Sequence, residues 1–260
     1  MENKEKSSAS GNLQSTSEPK WSKIIPEEQW DVYLTAIHAT RKTRTRFMLG
    51  GAFGLAGYTG RWRNTKDLDF FVLPSEKDAV IKALTEAGFT DYHEKLAYDR
   101  GWIYRAVKND VIVDTIWSTP NRRTQVDEEW FKRARGIRLH GEELHLIPAE
   151  ELLCIKAYVL QRDRCDWPDL INLLYVAGGE LDWEHVMNRM EDDLPLHAGL
   201  LQVFNWLAPE KAGALPKQVR EKFKLPDLSA RADEERHRVG LLDSRPWFAA
   251  YQAEDKPMQL

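Results

Sequence analysis

Leu49 to Phe70 reads LGGAFGLAGYTGRWRNTKDLDF, and the order of its parts decides the fold. A short apolar step, Phe47 to Leu49, runs into Gly50-Gly51, after which small and apolar residues predominate. Glycines between a strand and a helix let backbone N–H groups approach a bound phosphate, because no Cβ stands in the way. Beyond a basic stretch, Asp67 to Leu73 (DLDFFVL) alternates and then turns fully apolar before Pro74, the pattern of a buried strand. On such a strand Asp67 and Asp69 point to one face, and Leu68 and Phe70 to the other. Two carboxylates held close together repel each other, and a hard divalent cation relieves that repulsion through its preference for oxygen ligands.

Outward from this stretch the elements are legible one by one. Trp30, Tyr33, Leu34, Ile37 and His38 recur at helical spacing behind Glu27 and Glu28, and Lys77 to Ala87 forms a second amphipathic run that Gly88 stops. Gly101 to Val107 and Val111 to Trp117 are strands joined by Lys108-Asn109-Asp110, good chemistry for an antiparallel hairpin. A smaller hairpin is expected around His140-Gly141 within Ile137 to Ile147, and Pro148 opens a helix over Ala149 to Gln161. From there the spacing is helical: Asp169 to Val176, Trp183 to Met190 and Leu194 to Leu207, with Gly178-Gly179 between the first two. The chain is therefore α+β, and it divides near residue 147. The expected organisation is a disordered leader over 1–22, a mixed α+β domain over 23–147, a helical domain over 148–226, and a tail over 227–260 that packs back on the body through residues such as Leu241, Leu242, Trp247, Phe248 and Tyr251.

A third acid, Asp114, sits in the apolar strand VIVDTIW, where a carboxylate needs a partner or a metal. If this strand lies beside Asp67 to Leu73, three carboxylates converge in the arrangement used by two-metal phosphoryl and nucleotidyl transfer. Its plainer reading is an ion pair with an arginine such as Arg105. Charge distribution favours an anionic ligand. The 260 residues carry 37 Lys+Arg against 41 Asp+Glu, net −4, yet residues 41 to 66 hold seven Lys and Arg and no acid, a local +7 that leaves −11 elsewhere.

Other classes are excluded by composition. No apolar run reaches membrane-span length and the N-terminus lacks an apolar signal core, so the expected address is cytoplasmic. Cys154 and Cys165 are too few for a disulfide framework and lack zinc spacing, and the histidines, His140 and His145 among them, show no metal pattern.

The order Gly50-Gly51, Arg63-x-Thr65-Lys66-Asp67-x-Asp69 and then a strand-borne Asp114 resembles the DNA polymerase β type nucleotidyltransferase superfamily. It looks most like the small bacterial branch that includes the AbiEii-type toxin nucleotidyltransferases. Lys156-x5-Arg162-Asp163-Arg164-x-Asp166-x-x-Asp169-Leu170 is similar to the Lys-to-Asp helical motif of that branch. The resemblance covers residues 46 to 175. It implies a small mixed sheet flanked by helices, a helical C-terminal domain, and transfer of a nucleoside monophosphate from an NTP to an acceptor with Mg²⁺ or Mn²⁺. Carried over, Asp67, Asp69 and Asp114 are the metal ligands, with Asp114 the general base. Gly50, Gly51, Arg63, Thr65, Lys66 and Lys156 serve the nucleotide, and Asp166, Asp169 and Arg162 form a secondary set. Where many members carry Ser or Thr after the glycine pair this chain has Ala52, so one hydroxyl contact to phosphate is missing.

Several residues admit two readings. Lys156, Arg162, Asp166 and Asp169 also fit the polar face of two helices, with Asp166 as the N-cap of the second. Trp62, between Arg61 and Arg63, is the candidate for stacking on a base, whereas Trp30, Trp102, Trp117, Trp183 and Trp206 sit at core positions. A tRNA acceptor would use Lys132, Arg133, Arg135 and Arg138, which otherwise form a solvated face; a cationic antibiotic, the acceptor of aminoglycoside-type nucleotidyltransferases, would use Glu191-Asp192-Asp193. An interaction protein that kept the fold and lost the chemistry is the alternative of another class.

Overall fold

The computed structural model describes residues 18–63, 65–229, 231–242 and 248. In chain order its elements are α1 (Glu27–Lys42), β1 (Met48–Leu49), α2 (Gly51–Thr59), β2 (Asp67–Phe71), α3 (Lys77–Glu86), β3 (Thr90–Asp91), β4 (Ile103–Lys108), β5 (Val111–Ile116), α4 (Glu128–Arg133), β6 (Arg135–Leu139) and β7 (Glu142–Leu146). The helical half follows as α5 (Ala149–Ala157), α6 (Trp167–Ala177), α7 (Trp183–Met190), α8 (Leu194–Leu207), α9 (Pro209–Gly213), α10 (Lys217–Lys222) and α11 (Ala232–Leu242).

The strands form one mixed sheet in the order β3-β4-β5-β2-β1-β7-β6. Both expected hairpins are present. Asn109 and Asp110 take φ of 52° and 58°, and His140 and Gly141 take 47° and 82°, so each two-residue turn follows the right-handed twist of its strands. β2 runs parallel to β5 and antiparallel to β1.

Strand alternation sorts the sheet into two packed faces. Leu68, Phe70, Val113, Tyr104 and Ala106 pack with Tyr33 and Ile37 of α1 and Val80 and Leu84 of α3. Phe71, Ile103 and Ile116 point the other way, into a core shared with Trp130, Leu152, Leu153, Leu170 and Leu174. Asp67 and Asp69 share the Phe71 side of β2, so the carboxylates lie on the face that the helical half covers.

Three expectations are corrected. Lys20–Ile24 is a 3-10 turn with Trp21 buried, so the leader expected over 1–22 stops short of Trp21; residues 1–17 lie outside the described residues. The helix expected to reach Gln161 ends at Ala157: Leu160 bridges Cys165, and Asp166 N–H donates to the Val159 carbonyl, so the polar run Arg162 to Arg164 turns the chain back. Asp166 precedes α6, but its side chain does not cap that helix. In the tail, α11 packs on α8, with Arg238 Nη1 donating to the Trp206 carbonyl at 2.9 Å, and the Phe248 ring stacks on Tyr175; Trp247 and Tyr251 lie outside the described residues. Both cysteines are free, and among the described residues no helix is long and apolar enough to cross a membrane.

Candidate active site

The parallel register of β2 and β5 sets Asp69 opposite Asp114, and the antiparallel register of β5 and β4 sets Asp114 opposite Arg105. Residues directly opposite across a ladder share a face, so one row of charge crosses three strands. Arg105 Nε donates to Asp114 Oδ1 at 2.8 Å and Nη2 to Oδ2 at 2.7 Å, a bidentate pair. Burial pushes Asp114 up while Arg105 pulls it down, with a net upward shift. The ion pair with Arg105 is thus present. Asp114 stands beside Asp69 with both its oxygens accepting from Arg105; among the described residues no group of three His, Cys, Asp or Glu side chains is arranged to hold a metal.

Asp67 and Asp69 are different. Among the described residues neither side chain takes part in an ion pair. Burial first, and then the neighbouring Asp114 and Asp67 carboxylates, push Asp69 up to about 7, against weaker opposing pulls from Lys156 and Arg105. The Asp69 carboxylate lies against the first turn of α2. Gly51 has φ +51°, and a Cβ there would stand 1.7 Å from Asp69 Oδ2, so both its conformation and its neighbour demand glycine. At Gly50 a Cβ would collide with the Phe71 ring at 2.2 Å, and Gly50 N–H donates to the Asp69 carbonyl at 3.1 Å. The glycine pair therefore brings a helix N-terminus onto the carboxylate strand. This donor set, two oxygen ligands without a compensating cation beside backbone N–H groups, fits a hard divalent ion.

The loop between α2 and β2 carries the other expected nucleotide contacts. Arg63 is exposed, with Nη2 at 3.7 Å from Asp169 Oδ2; Thr65 Oγ1 accepts from Asp67 N–H at 3.1 Å; and Lys66 is exposed. Trp62 is committed to the interior. It stacks on Trp21 at 5.1 Å with the planes 2° apart and meets Phe53 edge-on, so the reading in which it stacks on a base is withdrawn.

From the helical side, Lys156 is buried and donates to Asp166 Oδ2 at 2.5 Å and Asp169 Oδ2 at 3.1 Å. Arg164 joins Asp166 through Nε and Nη2, both at 3.1 Å, and Arg162 is exposed on the turn. The basic lobe is also divided. Arg41 pairs with Glu142, and Arg46 pairs with Glu128, at the far end of β1 from the glycines; Arg61 Nη1 donates to Asn172 Oδ1 of α6 at 2.9 Å, and Arg63 and Lys66 lie in the loop that leads into Asp67. Arg164 is the site neighbour to which the sequence assigned no role of its own, whereas the pairing of Arg105 with Asp114 was legible in it.

A mixed sheet presenting paired carboxylates to a glycine turn at a helix N-terminus has the form of a nucleotidyl-transferring enzyme. The family model described as uncharacterised nucleotidyltransferase matches residues 49–207, and the chain belongs to that family. Among solved structures it is similar to the antibiotic-resistance factor ANT(2'')-Ia (15% identity, 66% of this chain and 95% of that one, TM-score 0.47). It is also similar to the lincosamide antibiotic adenylyltransferase LnuA (15%, 57% and 96%, 0.41) and to JHP933 from Helicobacter pylori (14%, 86% and 98%, 0.39). No curated protein matches the chain significantly.

Proposed function

We propose that this nucleotidyltransferase moves a nucleoside monophosphate from an NTP to a hydroxyl-bearing acceptor, with Asp67 and Asp69 holding a divalent cation, Mg²⁺ or Mn²⁺. The observation that carries the reading is the uncompensated Asp67/Asp69 pair packed against the Gly50-Gly51 turn. The cation, when bound, would neutralise triphosphate oxygens and help the pyrophosphate to leave. In this reading the first turn of α2 at Gly51 meets the phosphates, Gly50 holds the turn on β2 through its N–H bond to the Asp69 carbonyl, and Arg63 and Lys66 offer charge that the cation does not reach. Asp114 is the third carboxylate and takes the acceptor proton, with Arg105 holding it in place from the neighbouring strand. Lys156 acts on the site through its charge, since its ammonium is already bound by Asp166 and Asp169.

Residues 23–147 form the catalytic half in this reading, 148–226 the helical half that closes over it, and the Lys156-to-Asp169 order keeps the AbiEii-like branch as its lineage. Neither special acceptor gains support from charge. Of the basic run that would meet tRNA, Lys132 and Arg133 pair with Glu129, Arg138 with Glu143, and Arg133 also with Asp182. In the acidic run that would meet a cationic drug, Asp193 is taken by Arg123 and Tyr158.

Calorimetric titration of ATP, GTP, CTP and UTP, with and without Mg²⁺, tests the reading on the wild type and on Asp67→Asn/Asp69→Asn. Metal-dependent binding of at least one triphosphate, lost in the double variant, is expected. Binding that ignores both the metal and the carboxylates would overturn the assignment.

A further inference from the structure

We propose that residues 18–33, which lie outside the stretch matched by the family, are a working part of the nucleotide site: Trp21, acting through Trp62, is a positioning residue that holds the loop 60–66 beside Asp67. The inference rests on the nucleotide-binding reading above and adds to it the element that shapes the site.

The loop has little structure of its own. Between Gly60 and Asp67 the chain reads RWRNTK, so Trp62 is its sole apolar side chain and the one group by which it can be anchored in a core. Among the described residues, the backbone of 61–65 gains no ladder; its bonds go to side chains, with Arg61 N–H donating to Thr59 Oγ1 at 3.2 Å and the Thr65 carbonyl accepting from Gln29 Nε2 and, at 3.4 Å, from Tyr33 Oη. Gln29 and Tyr33 belong to α1. One end of the loop is thus held by α1 and its middle by the Trp21–Trp62 stack.

Four rings make that anchor continuous. Trp21 and Trp62 lie parallel, both meet the Phe53 ring of α2 edge-on at 6.1 and 5.0 Å, and Phe53 meets Tyr33 at 5.6 Å. Stacked and edge-on aromatic pairs add binding beyond the area they bury. Phe53 stands two residues past Gly51, so the same cluster grips the glycine turn and the loop at once. Arg63 and Lys66 flank Trp62 within a few residues, and their charged ends are exposed. A loop without a ladder places such ends only as well as its anchor does, and a displacement of about 1 Å in a positioned group costs as much as about a hundredfold in function.

The test uses the full chain and the four ribonucleoside triphosphates with Mg²⁺, titrated well below the melting temperature of every variant. Trp21→Ala should weaken the tightest triphosphate at least about tenfold and Gln29→Ala about threefold, while Trp21→Phe, which keeps a ring against Trp62, should stay within about threefold of wild type. Trp62→Ala combined with Trp21→Ala should be no worse than either alone, because one contact carries both effects. Val186→Ala, a core truncation in α7 away from the site, controls for lost stability: it should lower the melting temperature and leave affinity unchanged. Unchanged affinity in Trp21→Ala and Gln29→Ala, or an equal loss in Val186→Ala, overturns the inference. If Trp21→Ala does not fold, Gln29→Ala decides alone, since it releases the loop without opening the core. A wild type that binds none of the four triphosphates removes the nucleotide reading itself, and this inference with it.

Discussion

Two ionic groups in this chain differ in how their charges balance. On the sheet face, Arg105 is the guanidinium paired with the carboxylate row of Asp67, Asp69 and Asp114 among the described residues, through Asp114. Between α4, α5 and α7, Glu151 accepts from His185 Nε2 at 2.7 Å and from Arg189 Nε at 3.0 Å, while Arg189 Nη1 and Nη2 reach both oxygens of Asp127 at 2.7 and 3.0 Å. Glu151 is fully buried, and one guanidinium joins it to Asp127 while His185 adds a second donor at the same Oε1, Oε2 being left without a partner among the described residues. An ion pair shared between helices in an interior is architecture: Arg189 ties α7 to Asp127 before α4 and to Glu151 of α5. Excess charge of one sign, held by a packed glycine turn, asks for a partner from outside, which is how a site differs from a strut.

Four measurements break or sharpen this contrast. Asp69→Asn or Asp67→Asn should lower pyrophosphate release from the NTP at least about a thousandfold while the circular dichroism spectrum stays native. Retained turnover would make the sheet cluster a strut as well. In the helical group, Arg189→Met leaves Asp127 and Glu151 short of a partner and should cost about 3–5 kcal/mol of stability in urea unfolding, with triphosphate affinity unchanged. A loss of affinity there would show the two groups to be coupled.

The third concerns pH. Asp69 titrates at about 7 in the fold, above its ordinary value of 3.8, so the fold favours its protonated form. The resulting penalty is absent below the unfolded value, grows between pH 4 and 7, and is complete above 7. Asp69→Asn should therefore raise the melting temperature at pH 8 in metal-free buffer, by the equivalent of about 1–3 kcal/mol, with the gain fading by pH 4. A gain of equal size at both pH values would mean that the carboxylate is not strained by its neighbours. Smallest is the exposed Lys82–Glu86 pair on α3 at 3.8 Å: Lys82→Ala should change stability by less than about 0.5 kcal/mol, which sets the floor against which the others are read.

The strands, both hairpins and the split into a sheet half and a helical half were legible because they rest on local signals, namely alternation, helical spacing and turn residues that accept positive φ. The Asp67/Asp69 face and the glycine pair were legible for the same reason. Three features were not. Trp21 sits among polar residues, so composition hid its burial; only the ring of Trp62, 41 positions on, explains it. The +7 lobe was a property of adjacency, and folding sent Arg41 and Arg46 to acids on other elements. Helix α5 was expected to run on because Tyr158 to Gln161 do not oppose a helix, but the pull of Lys156 on Asp166 favours a turn that brings the two together.

The sequence by itself determined which side chains share a face and where another group can come close to the backbone, since both follow from the two-residue repeat of a strand and from glycine's missing Cβ. Which charges cancel was decided only by the tertiary structure. A carboxylate's partner comes from the register of the next strand or from a helix a hundred residues away, and ion pairing depends on distance in space, which one-dimensional spacing does not contain.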